Sequence, residues 1–307
     1  MPRNVIVGLD GSPESLAAAD WAAREALLRD TPLRLVHAWE REPYVYTPLA
    51  GVSVPRVVSD AHRDWVERMP REAESRLARR HPGLRVGLDR IAEQPVPALL
   101  AAAEDAEVLV LGSRGLNGVT GFLLGSVALA VVARTARPVV LVRAGERAED
   151  EHLPDGAGAA STVTPYRDVV LGLDLRNPDD TVIEFAFDAA SRRATNLRVL
   201  HGWSLPVSSH GYGGIVDPEF DAELAARVRH ELSDVLRPWR KKFPGVEVNE
   251  QAVIGGAGSH LVDASRDAAL VVVGRRTRHA QIGAHIGPVA HAVLHHATVP
   301  VAVVPHD

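Results

Sequence analysis

The chain has 307 residues, 46% hydrophobic and 24% charged, enough for two domains of ordinary size, each with its own core. A formal charge of -5 supplies no broad positive field, so neither nucleic acid nor an anionic membrane is expected as a partner. Cysteine is absent, which excludes disulfides and thiolate metal sites.

The N-terminal "VIVGLD" reads as a strand near residues 4 to 10, with no long apolar leader before it, and predicts a cytoplasmic protein. Leu16, Ala19, Ala23, Ala26 and Leu27 then recur at helical steps, giving one apolar stripe that Ser12 caps and Pro13 opens. Apolar runs near 33 to 39, 84 to 91, 107 to 112 and 138 to 143 predict four more strands. Between them, helical periods cover roughly 57 to 80, 96 to 104 and 126 to 136. Strands apolar on both faces and separated by helices imply a parallel sheet covered on both sides. Residues 146–165, acidic first and then rich in Gly, Ala, Ser and Thr, read as a linker.

Beyond that linker the pattern recurs. "VIVGLD", ending at Asp10, returns as "VVLGLD", ending at Asp174, and "RLVHAW", ending at Trp39, returns as "RVLHGW", ending at Trp203, both 164 residues later. "VLVLGSRG" matches "LVVVGRRT" and "PVVLV" matches "PVAVV" 162 residues on, so two residues are lost between the second and third blocks. The chain is a tandem duplication, predicted as domains 1–145 and 166–307 about the linker.

The stretch "LGSRGLNGVTGFLLGSV", Leu111 to Val127, joins a strand to a helix. Backbone N–H groups at a helix start lack intrahelical partners and carry partial positive charge, so an anion is the natural ligand. Gly115 and Gly125 let amides approach phosphate oxygens, Ser126 adds a hydroxyl, and Arg114 can supply formal charge. The only lysines are Lys241 and Lys242, so no P-loop lysine serves this loop. Taken alone, such glycines serve a plain turn equally well. Asp10, at the C-terminal tip of the first strand, adds a second polar anchor where open parallel sheets bind ligands.

The spacing Gly112-x2-Gly115-x9-Gly125-Ser126, with "VGLDGSPESLAAADWAAREA", "LVHAW" and "RPVVLVR", resembles the universal stress protein family in its tandem form. The resemblance implies, in each half, an open parallel five-stranded sheet of order 3-2-1-4-5 with helices on both faces, an α/β fold of adenine nucleotide α-hydrolase-like type. It implies ATP, alone or with Mg2+, as ligand, a homodimer through the terminal strands, and a regulatory role in stress response or growth control. Carried over, Gly8, Leu9 and Asp10 would meet the nucleoside and Ala38 would offer its backbone to adenine. Gly112, Ser113, Arg114, Gly115 and Gly118 would line ribose and phosphates, with Gly125, Ser126 and Val127 holding the triphosphate. Asp174, Gly274 and Gly287 are the counterparts in the second copy.

In that copy Gly115 becomes Thr277 and Ser126 becomes Pro288, which removes an N–H and a hydroxyl aimed at phosphate while suiting a helix start. The second copy is therefore expected to bind ATP weakly or not at all, although Arg275, Arg276, Arg278 and His279 crowd its loop. His291 and His295 have metal-ligand spacing without an evident third ligand, and no metal is expected. No nucleophile elbow or HExxH motif is present. The expected function is a non-enzymatic ATP-binding regulator, the alternatives being a ligand-free structural dimer and a slow ATPase. Apolar terminal strands opened by proline are expected to pair, between the two copies or between two chains.

Overall fold

Val5, Ile6 and Val7 are fully buried in β1 (Asn4–Gly8), the central strand of the first half. The computed structural model describes residues 3–39, 44–47, 52–55, 60–113, 125–204, 218–277 and 286–307, which divide into two units, one up to Glu146 and one from Arg147 on.

In the first unit β1 is followed by α1 (Pro13–Leu28), β2 (Leu33–Ala38), a β3–β4 hairpin (Tyr44–Thr47, Val52–Pro55), α2 (Asp60–Arg80) and β5 (Val86–Ile91). Then come α3 (Pro95–Glu104), β6 (Ala106–Ser113), α4 (Ser126–Arg134) and β7 (Val139–Arg143). The parallel order is β7-β6-β1-β2-β5, so strand order reverses between β1 and β6. α1 packs beside α2 and α3 beside α4, which covers both faces of the sheet. The predicted 3-2-1-4-5 arrangement is found, and only the hairpin was not foreseen.

The second unit repeats it with β8 (Asp168–Gly172), α5 (Asp180–Arg192), β9 (Leu197–Trp203), α6 (Pro218–Lys242), β10 (Val248–Ile254), α7 (Ala257–Ala264), β11 (Ala268–Arg276), α8 (Pro288–His296) and β12 (Val301–His306). Its parallel order is β10-β9-β8-β11-β12. Both apolar stripes point inward: Trp21 is buried from α1, and Phe187, stacked 5.5 Å from Phe243, is buried from α5. An ion triad closes the other end of α1, where Arg29 Nε meets Glu25 Oε1 at 2.7 Å and an Arg29 guanidinium nitrogen meets Glu107 at 2.5 Å. Among the described residues, no helix is long and apolar enough to cross a membrane.

Residues 146–165 hold more structure than a linker composition suggests. Ala148–Glu151 forms a 3-10 turn, after which Leu153 N donates to Pro165 O (2.9 Å) and Arg167 N to Glu151 O (2.9 Å). His152 is buried, donates from Nδ1 to Thr164 O (2.6 Å), and lies on the Tyr166 ring at 4.0 Å. The exposed part of the stretch is the tip, a turn held by Asp155 Oδ1 accepting from Ala157 N and Ala159 N.

Candidate functional site

The C-terminal ends of β1, β2 and β6 open beside the starts of α1, α3 and α4, enclosing a cavity of about 230 Å³ in the first unit. Strand polarity and the reversal between β1 and β6 create this crevice. Val36, Pro95, Leu99 and Leu111 make an apolar slot at one side, and Asp10, Ser12, Ser15 and Ser126 supply polar groups at the other.

Asp10 stands at the tip of β1 with its carboxylate already engaged. Oδ1 accepts from Ser12 N (2.9 Å) and Ser12 Oγ (2.5 Å), and Ser12 Oγ in turn accepts from Ser15 N (3.2 Å) to cap α1. The cap foreseen from Ser12 and Pro13 therefore extends back to the strand tip and fixes the acidic group. Gly11, in this turn, has φ +81°, and a side chain there would stand 2.5 Å from Cζ2 of Trp65, whose indole covers the turn from α2. Buried His37 donates from Nδ1 to Leu9 O (2.9 Å), tying the ends of β1 and β2 together.

Gly112 lines the crevice and has a second reason to be glycine: a Cβ there would lie 2.6 Å from Glu14 C and 2.7 Å from Ser15 N, in the first turn of α1. Opposite, Gly125 is the N-cap residue of α4, extended at φ -60° and ψ 141°, with no side chain to occupy the amides of Ser126, Val127 and Ala128. A helix start bare of a capping side chain and facing a cavity suits an anion.

Of the predicted residues, Gly8, Leu9, Asp10, Ala38, Gly112, Gly125, Ser126 and Val127 line one crevice. Ser113 is buried and its hydroxyl donates to Val142 O (3.1 Å), toward β7. Arg114, Gly115 and Gly118 lie outside the described residues. In the second unit Asp174 accepts from Arg176 N (3.1 Å), Gly274 lies under His306, and Gly287 is the N-cap residue of α8. Ser12, Ser15, Glu14, Pro95 and Leu99 were not anticipated as lining residues. The capping pattern could have flagged the first three, since an N-cap beside a strand tip faces the ligand end of such a sheet.

The rings of His291 and His295 lie 4.2 Å apart on α8, tilted by 31°. Among the described residues, no group of three or more His, Asp or Glu is placed to hold a metal ion.

A model of the universal stress protein family matches residues 1–143 and 165–305. A universal stress protein of Mycobacterium tuberculosis H37Rv is 32% identical over 312 residues, spanning 98% of this chain and 96% of that protein. One from Mycolicibacterium smegmatis is 31% identical over 310 residues, with the same coverage of 98% and 96%. The crystal structure of a universal stress protein from Archaeoglobus fulgidus shares the fold, with a TM-score of 0.67 at 15% identity over 99% of this chain and 98% of that one.

Proposed function

Because the chain belongs to the universal stress protein family, with two tandem family domains, we propose that it is a non-enzymatic regulator that binds ATP in the crevice of its first unit. The observation carrying this reading is the convergence of an apolar slot, an anchored carboxylate and an uncapped helix start on one cavity.

The residues fit the ligand piece by piece. Val36, Pro95 and Leu99 suit the faces of a base, and the backbone of Ala38 is at hand for its edge. Asp10 is positioned to accept from ribose hydroxyl groups, since the Ser12 contacts hold it in place. The amides of Ser126 and Val127 and the Ser126 hydroxyl suit the phosphates. A bound Mg2+ would supply charge neutralisation to the phosphates.

A carboxylate already accepting two hydrogen bonds in a turn is better suited to recognition than to proton transfer, which favours binding over catalysis. Occupancy would then set a state read by a partner. A homodimer completes the proposal, with a mass of twice the chain expected by light scattering.

Calorimetric titration with ATP tests the central part. Ser126→Glu puts an anion at the first helical position, where it favours the helix but competes with phosphate. The expected result is a preserved or raised melting temperature with ATP binding lost. Retained affinity in that variant would place the phosphates elsewhere.

A further inference from the structure

In the second unit the positions equivalent to the crevice are filled from within, and we infer that each chain holds one nucleotide, in the first unit alone. This deepens the nucleotide reading above and rests on it.

Substitutions act at different edges of the same place. At the base end, Ala38 corresponds to Gly202 and Pro95 to Ala257. A Cβ on Gly202 would lie 2.6 Å from Ala257 N and 2.7 Å from its Cα, so the start of α7 rests directly on β9. A planar base needs about 3.5 Å to the atoms on each of its faces. In the second unit the first residue of α7 instead stands against the strand end that would border the base.

At the ribose end α5 begins one turn later than α1: its N-cap is Asp179, the counterpart of Ser15. The first helical turn that covers Gly112 is therefore missing above Gly274. His306, from β12, fills the gap, with Nε2 2.8 Å from where a Gly274 Cβ would stand and Nδ1 3.8 Å from Asp179 Oδ2.

At the phosphate end, Thr277 takes the place of Gly115 and is drawn toward β12, its N and Oγ1 donating to His306 O at 2.6 and 2.9 Å. Pro288 opens α8 without an N–H or a hydroxyl where Ser126 offers both. Steric closure at two edges and donor loss at the third point the same way. The second unit keeps the fold and gives up the cavity.

Titration of the full chain with ATP counts the sites. One site per chain is expected. Ser126→Pro, which copies the second unit's own residue at a position where helices accept proline, should weaken that site by about tenfold or more. Two sites in the unaltered chain would overturn the inference and leave the nucleotide reading standing, whereas binding undiminished in Ser126→Pro would overturn both by placing the phosphates away from the start of α4. Zero sites would overturn the nucleotide reading, and the inference with it.

Discussion

Single residues show the duplication at work, because each has a counterpart in a different setting. Burial holds the His81 imidazole below its ordinary value of 6.5, against the opposing pull of Asp20 and aided by Arg24 and Arg80. The folded chain thus binds fewer protons at this site than the unfolded chain, so stability rises with pH through the window below 6.5 and is lost as pH falls through it. Phe243 occupies the same place in the second unit and stacks on Phe187. His81→Phe is therefore expected to flatten the dependence of denaturation midpoint on pH between about 7 and 5. Gly112 gives a second case. A methyl group there would collide with helix backbone, not with a movable side-chain end. Gly112→Ala should cost about 1–3 kcal/mol by urea denaturation, by displacing the first turn of α1. An unchanged midpoint would mean that α1 is not seated as described.

At the scale of elements, caps and periods govern what the chain forms. Ser12→Ala removes the acceptor for Ser15 N and a donor to Asp10, and is expected to cost about 1 kcal/mol in denaturation. The strands, helices and parallel order were legible because buried parallel strands are apolar on both faces and the helices carry a clear stripe. The hairpin of Tyr44–Thr47 and Val52–Pro55 was missed although Tyr-Val-Tyr-Thr and Val-Ser-Val have strand chemistry on either side of a Pro- and Gly-containing stretch of sequence. It belongs to neither sheet, and the duplicate offers no second copy of its pattern to draw attention to it. The glycine and serine residues of the crevice were legible from their spacing, whereas its partner contacts were not. Trp65 over Gly11 and Ala257 on Gly202 join residues far apart in sequence, and only the packing of α2 and α7 brings them together.

At the scale of the whole molecule, two units of one topology carry different residues at the same corner. Ligand that binds the folded state alone stabilises it by about 2.7 kcal/mol at a hundredfold excess over Kd. ATP should therefore raise the unfolding transition of the first unit and leave the second in place, splitting a scan in calorimetry. Equal upward shifts of both transitions would contradict that division. The laced segment that opens the second unit has its own consequence for cleavage. A protease entering at Val163, 94% exposed, cuts the tip of a stem whose two sides stay joined through His152 and Thr164, Leu153 and Pro165, and Glu151 and Arg167. The nicked protein should then run as two fragments in denaturing gels yet elute as a single particle in gel filtration, because the paired sides of the stem hold without backbone continuity at its tip.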